Sequence, residues 1–399
     1  MGLLTSPWLG PRAAPSLFLL LATTVCGTMS MHIVVPVLPT IAGDFGVSPG
    51  AIQLTITLYL VGMAMGQLLY GPLSDRFGRR PLLILGLGLY LAAMVAAWLS
   101  AGLGVLLAAR ALQALGGACV LVVGRAMVRD SFEGPQLITR MAMLSIALSA
   151  SPAVAPVVGA FVATTFGWRA IFGLLAAISA ALLAAVLLVQ PETNRAKISL
   201  PGLRPLLDSY GALLRSRRFV CYAMGGASGT SFYAFLTASP FIFLTELGRS
   251  PQEIGFLYLL TLAGFSIGGA IAMRVANRFP LRILARTANQ IMLLGPLLML
   301  IAWMAGAFNI VTLMGPMLAF TVGAGMAAPL AQAGAISADP RRIGAASGLY
   351  GFGQMGSGAI CSLIVSLFAS APTLTMILVM LAFSAMGQAA YQALGREGR

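Results

Sequence analysis

The chain has 399 residues, of which 59% are apolar and only 9% are charged, and its mean hydropathy is +0.94. A soluble domain carries roughly a quarter charged residues because its surface faces water, so this composition excludes a soluble globular protein and indicates a membrane protein with many spans. The net charge is +14, but the arginines lie in short clusters between apolar runs. Such clusters are typical of loops beside a membrane, so we expect no nucleic-acid partner.

Runs of about 20 apolar residues, the length that crosses a bilayer, recur along the whole chain. In the first half the predicted spans are 16–39, 52–73, 81–100, 104–127, 138–163 and 168–189. In the second half they are 219–244, 253–274, 283–305, 309–336, 344–369 and 373–394. The pattern predicts an all-α membrane protein with 12 transmembrane helices in two six-helix bundles, 1–189 and 219–399, joined by a cytoplasmic linker, 190–218.

The basic residues predict the orientation of these spans. With both termini in the cytoplasm, only Arg169 and Arg249 fall on the outer side and Arg110 falls within a span, whereas all the other basic residues lie inside. The linker is basic and also has apolar residues at helical spacing, which predicts a short helix on the inner membrane surface. These residues are Leu203, Leu206, Leu207, Tyr210, Leu213 and Leu214.

The loop after the second span reads GPLSDRFGRRP and combines a glycine, an acid at a helix end and a tight basic turn. It resembles the loop signature of the major facilitator superfamily, G-x-L-x-D-R-x-G-R-[RK]. The matching residues are Gly71, Leu73, Asp75, Arg76, Gly78, Arg79 and Arg80. The resemblance implies a gate in which the Asp75 carboxylate engages the N-terminal end of the eleventh helix, around Gly344 to Gly348, where amide groups are unpaired and the dipole is positive.

Three further stretches resemble motifs of the same superfamily. The fourth span contains RALQALGG, which places Arg110 and Gln113 within the membrane, and the fifth contains SPAVAPVVGA. The latter resembles the antiporter signature g-x-x-x-G-P-x-x-G-G; it has Ser151, Ala155 and Ala160 in place of three glycines and keeps Pro152, Pro156 and Gly159. The eleventh span, with GWRAIF at 167–172 and PET at 191–193, resembles the bicyclomycin/chloramphenicol-resistance branch.

The resemblance implies a drug:proton antiporter of the bacterial inner membrane that works as a monomer by alternating access. Its partners would be a small-molecule substrate, protons and the lipid bilayer. No phosphate-binding loop, metal-spaced cluster or nucleophile–base pair is present in the sequence, so we expect neither a cofactor, a metal nor an enzyme activity. Two alternatives stay open: export of an endogenous metabolite such as a sugar, amino acid or siderophore precursor, and a non-transporting membrane sensor.

The first span contains His32, the only histidine of the chain. It stands four residues before Pro36 of the PVLP element, where the resembling branch often carries an acid. Histidine titrates near pH 6.5, and no acidic residue of this chain lies deep in a predicted span. We therefore predict that His32 carries the coupling proton; a neutral hydrogen-bonded ring and direct substrate contact are the alternatives.

The resemblance also implies which helices line a central cavity: the first, second, fourth, fifth, seventh, eighth, tenth and eleventh. The predicted cavity and substrate residues on them are Arg110, Gln113, Tyr59, Met29, Phe232, Tyr233, Phe235, Tyr350 and Gln354. Packing between helices or against lipid is the alternative for each aromatic residue. Because no membrane-embedded acid offsets Arg110 and His32, we expect neutral or weakly anionic substrates.

Overall fold

Backbone N–H and C=O groups inside a bilayer find no water, so a chain this apolar must pair them within helices. The computed structural model describes residues 15–194, 203–276 and 278–394, which are helical and contain no strand. The first half comprises α1 (Leu17–His32), α2 (Leu38–Phe45), α3 (Pro49–Phe77), α4 (Arg79–Trp98), α5 (Leu103–Ser131), α6 (Gly134–Phe166) and α7 (Arg169–Val189). The second half comprises α8 (Leu203–Arg215), α9 (Arg217–Gly229), α10 (Phe232–Phe241), α11 (Pro251–Val275), α12 (Leu281–Met304), α13 (Ile310–Ile336), α14 (Ile343–Leu367) and α15 (Pro372–Ala393).

Within the described residues, 10 helical segments are long and apolar enough to cross a membrane. Helices α6 and α14, with 33 and 25 residues, are long enough to supply the other two spans. The predicted all-α membrane fold is therefore confirmed. The main difference lies in the first span, which continues to Phe45 instead of ending near residue 39.

The first spans of the two halves are both interrupted near their middle. Helix α1 ends at His32, a short 3-10 turn covers Val35–Val37, and α2 then continues. Pro36 explains the break, because it has no N–H for the carbonyl four residues earlier. In the second half α9 ends at Gly229 and α10 begins at Phe232. Breaks at corresponding positions of two repeats are typical of a transporter's binding site.

Two helix pairs join the bundles to each other: α3 packs against α14, and α6 packs against α11. The approach is close at glycines. A Cβ atom on Gly50 of α3 would lie 2.4 Å from the carbonyl oxygen of Ser366 on α14. A Cβ atom on Gly255 of α11 would lie 3.3 Å from the carbonyl oxygen of Pro156 on α6. The space between these pairs is the interface at which the cavity forms.

The linker contains α8, which contacts α9 and α14. Leu213 of its predicted apolar face is buried, whereas Leu207 and Leu214 are exposed. Helix α8 thus covers part of the basic end of the second bundle and leaves the side chains of Leu207 and Leu214 exposed. Lys197 and Arg195, which belong to the predicted linker, lie outside the described residues.

Candidate functional site

A cavity of about 210 Å³ lies between the bundles, where the interrupted spans face α3 and α14. Its lining residues are Thr28, Met31, His32, Tyr59, Met63, Gln67, Leu121, Arg125, Tyr233, Gln332, Ser347, Tyr350, Gly351, Gln354 and Met355. Pockets for drug-sized ligands usually measure about 300–1,000 Å³. In this conformation the cavity therefore suits a compact ligand with several polar groups.

Hydrogen bonds between buried side chains close one end of the cavity. The Gln53 amide donates to the carbonyl oxygen of Thr237 at 3.2 Å, so α3 is tied to α10. The hydroxyl groups of Thr57 and Ser362 lie 2.8 Å apart and tie α3 to α14. At the other end the lining residue Gln332 is exposed, close to the arginine-rich loops. The cavity is thus sealed at the end away from the basic loops.

His32 is the last residue of α1 and is half-buried at the cavity wall. Its Nδ1 lies 3.3 Å from the carbonyl oxygen of Thr28. Because a carbonyl oxygen only accepts, this contact favours a proton on Nδ1 and leaves the Nε2 lone pair available for a second proton. Among the described residues that line the cavity, none is acidic and His32 is the one histidine.

Arg110 is fully buried and binds groups on two neighbouring helices. Its Nη1 donates to the carbonyl oxygen of Ser30 at 2.8 Å and to Oε1 of Gln113 at 2.6 Å. Its guanidinium carbon lies 4.5 Å from the centre of the Tyr59 ring. Carbonyl acceptors and a cation–π contact together offset the cost of burying the charge. Arg110 therefore ties α5 to α1 and α3 and does not line the cavity in this conformation.

The predicted cavity residues fall into two groups. Tyr59, Tyr233, Tyr350 and Gln354 line the cavity, and the Gln354 amide donates to the Tyr350 hydroxyl at 2.9 Å. The other five lie behind the wall. They are Arg110, Gln113, Met29, Phe232 and Phe235; Phe235 is part of the hydrophobic core, and Met29 and Phe232 are partly buried and pack against it. Contact between any of these residues and a substrate stays a prediction.

Arg125 lines the cavity although the sequence led us to place it with the inner-loop arginines. It lies on α5, 15 residues after Arg110, which is close to four helical turns and places both residues near the same helix face. That spacing is the signal which could have identified it. Arg125 is half-buried and has no ion pair among the described residues, so no carboxylate of those residues offsets its charge at the cavity wall.

Within the loop signature, Arg79 is the central residue. Its Nη2 lies 2.6 Å from Asp75, and its Nε donates to Asp130 at 2.8 Å. The Asp130 side chain is 21% exposed and the Asp75 side chain 45%, so Asp130 is the better shielded partner. The contact between Asp75 and the start of α14 stays a prediction, as do the gating roles of Gly71, Arg76 and Arg80.

Glu192, of the PET stretch, binds the same loop. Its carboxylate accepts the backbone N–H groups of Arg79 at 2.9 Å and of Arg80 at 3.2 Å, which are unpaired at the start of α4. Gly78 has φ +105°, and a Cβ atom there would lie 2.4 Å from a Glu192 oxygen. The Asn194 amide donates to the carbonyl oxygen of Asp75 at 2.8 Å. The segment after α7 thus holds the loop between α3 and α4.

The fifth-span motif lies where α6 contacts helices of both bundles. Pro152 and Pro156 are inside α6. A Cβ atom on Gly159 would lie 1.8 Å from the carbonyl oxygen of Ile33, at the break that follows α1. On its other side α6 meets α11 at Gly255. Only glycine at position 159 allows this distance between α6 and α1.

The comparisons with known proteins identify the family. Residues 20–362 match the family model described as Major Facilitator Superfamily. The chain belongs to the major facilitator superfamily. It is similar to multidrug resistance protein D of Escherichia coli, with 33% identity over 87% of each chain, and to a chloramphenicol resistance protein of Pseudomonas aeruginosa, with 31% identity over 89% of this chain and 84% of the relative.

A solved structure supports this superfamily assignment at the level of the fold. It is that of a bacterial homologue of the human lysosomal transporter Spinster, described as inward-facing and unoccupied, and it matches with a TM-score of 0.74 at 15% identity over 95% of this chain and 96% of that one. The predicted family and its bicyclomycin/chloramphenicol-resistance branch are confirmed. This superfamily member is a multi-pass membrane protein, and its family and the relatives reported above are transporters.

Proposed function

We propose that this transporter exports small neutral or weakly anionic drugs from the bacterial cytoplasm in exchange for protons. The names of its relatives support drug export. The observation that carries the rest is the cavity between the bundles, which has His32 and Arg125 in its wall and no acidic residue among its described lining residues. An imidazole supplies the titratable group that proton coupling needs.

Alternating access would proceed by rocking of the two bundles about the cavity. The contacts of Gln53 with Thr237 and of Thr57 with Ser362 would close the outer side in the inward-open state and separate in the outward-open state. The loop signature around Asp75 would hold the inner side in the opposite state. The distribution of the basic residues supports cytoplasmic termini and cytoplasmic access to this conformation. We propose that the protein acts as a monomer in the inner membrane without a cofactor.

His32 would bind its proton from the outer side and release it to the inner side. In the present conformation a second proton, on Nε2, would place a positive charge in the same cavity as Arg125. Like charges in a medium of low dielectric repel strongly, and this repulsion favours release of the proton towards the cytoplasm. A neutral or anionic substrate then enters without an additional repulsion.

Transport by the purified protein in liposomes tests the coupling. His32→Gln keeps a polar side chain but cannot titrate, so we expect exchange down a substrate gradient and no accumulation driven by a pH gradient. Ser347→Ala, another substitution in the cavity wall, should leave accumulation within about twofold of the unmodified protein, because a weakly polar rim contact contributes little. Full accumulation by His32→Ala protein would exclude His32 as the coupling group.

Export of a small endogenous metabolite is the second candidate function. The small volume of the cavity and the amide groups of Gln67, Gln332 and Gln354 in its wall favour a compact hydroxyl-rich molecule. A susceptibility panel in a bacterial host that lacks its own pumps separates the two functions. A raised inhibitory concentration for at least one drug supports drug export, whereas an unchanged panel together with export of a labelled metabolite supports the alternative.

A further inference from the structure

A second polar pocket, of about 440 Å³, lies at the basic end of the second bundle between α12 and α15. Its lining residues are Arg282, Ile283, Arg286, Thr287, Gln290 and Tyr391. The pocket is on the outside of the bundle, because the residues that α12 contributes to it are exposed. It is therefore separate from the central cavity and has no part in the proposed transport path.

The two arginines of this pocket have no acidic partner in the part of the chain that the structure describes. Arg282 makes one hydrogen bond of 3.5 Å to the carbonyl oxygen of Leu394. Among the residues that the structure describes, neither Arg282 nor Arg286 forms an ion pair. Both lie in the first two turns of α12, which has no acidic residue in its first turn. Positive side chains near a helix N-terminus oppose the helix dipole, so a bound anion would stabilise this arrangement.

The exposed face of α12 becomes apolar beyond the pocket. After Gln290 it continues through Leu294, Leu297 and Ile301, which are 47%, 42% and 56% exposed. The 11 residue steps from 290 to 301 span about 16 Å of helix, which is close to half of a hydrocarbon core of about 30 Å. From its N-terminus onwards, this exposed face of α12 presents two arginines, then a hydroxyl and an amide group, and then an apolar strip about as long as one leaflet is thick.

We propose that this pocket binds the headgroup of an anionic phospholipid. Arg282 and Arg286 hold the phosphate by charge-assisted hydrogen bonds. Thr287 and Gln290 donate hydrogen bonds to the glycerol ester oxygens, which lie between the phosphate and the acyl chains, and the acyl chains lie along the apolar strip of α12. The neighbouring Arg274 and Arg278 are also exposed; they repel the ammonium group of a zwitterionic lipid. The apolar strip explains why a lipid and not a free phosphate ion is the ligand.

Native mass spectrometry of the full-length protein in detergent tests the proposal, with phosphatidylglycerol, phosphatidylethanolamine and inorganic phosphate as probes. Each basic residue near a membrane surface adds to the binding free energy of an anionic lipid. Two arginines together should therefore bind the anionic lipid about 30-fold more tightly than a zwitterionic one. We expect phosphatidylglycerol to bind that much more tightly than phosphatidylethanolamine, and inorganic phosphate at millimolar concentration not to displace it. Equal binding of the two lipids would overturn the proposal, and so would displacement by phosphate.

Substitutions locate the site. The R282Q/R286Q protein should bind the two lipids within about threefold of each other. The matched control R215Q/R341Q removes the same charge from two exposed arginines elsewhere at this end and should keep the preference. Glu397 lies outside the described residues, and E397Q should leave the preference unchanged. A preference that persists in R282Q/R286Q protein overturns the assignment, as does a large gain in E397Q protein, which would identify Glu397 as the anion of these arginines.

Discussion

The Glu192 carboxylate accepts the backbone N–H of Arg79 at 2.9 Å, although 113 residues separate the two in sequence. Through this contact the segment after α7 caps the start of α4 and fixes the turn at Gly78. The side chain of the same Arg79 binds Asp75 and Asp130. The loop signature is therefore held by acidic residues from three elements, α3, α5 and the segment after α7.

Replacement of Glu192 should destabilise this loop. Glu192→Ala removes the acceptor of two N–H groups at a helix N-terminus, and such a cap contributes about 0.5–2 kcal/mol. We expect a lower midpoint of thermal unfolding for this protein, and a smaller decrease for Glu192→Gln, which keeps one acceptor oxygen. Glu133→Gln is the control, because Glu133 precedes α6 without a side-chain capping bond. An equal decrease in the control would show that general charge effects, and not the cap, determine the change.

Asp75→Asn should reduce transport much more than substrate binding. Arg79 keeps its pairing with Asp130 in this variant, so the fold should persist, whereas the charge that is expected to engage α14 is lost. We expect a loss of transport of at least tenfold with an unchanged dissociation constant, measured on one purified preparation. Asp130→Asn, which removes the better shielded partner, should instead lower thermal stability. Parallel loss of binding and transport in Asp75→Asn protein would contradict a gating role.

The two motif glycines Gly159 and Gly71 should respond differently to alanine. The methyl group of Gly159→Ala would meet the carbonyl oxygen of Ile33 at 1.8 Å, so α6 and α1 must separate. A Cβ atom on Gly71 has no neighbour within 4 Å. We expect Gly159→Ala to lower expression and the midpoint of thermal unfolding, and Gly71→Ala to leave both unchanged. Lost transport with normal stability in Gly71→Ala protein would indicate a close contact of Gly71 in the other conformation.

The twelve spans were predictable because hydropathy over a bilayer length is a local property of the sequence. The breaks in the first and seventh spans were harder to predict. The sequence contains Pro36, which can interrupt a helix, but it does not show how many residues leave the helical conformation. His32 was predicted as the coupling residue from its position four residues before Pro36 and from the lack of an acid deep in a span, and the structure places it at the cavity wall; its role in coupling stays a prediction.

The charged residues were harder to place. Arg110 was expected at the cavity, but its partners are the Ser30 carbonyl oxygen and the Tyr59 ring. Every residue has a backbone carbonyl group, so the sequence does not show which of them binds an arginine. Arg125 was assigned to a loop because it lies near the predicted end of a span, yet α5 continues to Ser131. In helices that are apolar on every side, hydropathy does not show which face is turned to a cavity.

The last prediction concerns the charge of the substrate. Because Arg125 and His32 line the cavity and its described lining residues include no acid, a lipophilic cation entering it would lose hydration and meet like charge. A phenicol-like neutral drug can instead bind the hydroxyl and amide groups of Tyr350 and Gln354. We therefore expect faster efflux of a phenicol than of an ethidium-like cation, in side-by-side assays on the same cells.

Arg125→Gln should shift this ratio towards the cation by several-fold, because it removes one positive charge from the wall. Arg129→Gln is the matched control: Arg129 lies one turn further along α5, is exposed and is outside the lining. Faster efflux of the cation by the unmodified protein, or an equal shift in the control, would contradict selection by the charge of Arg125.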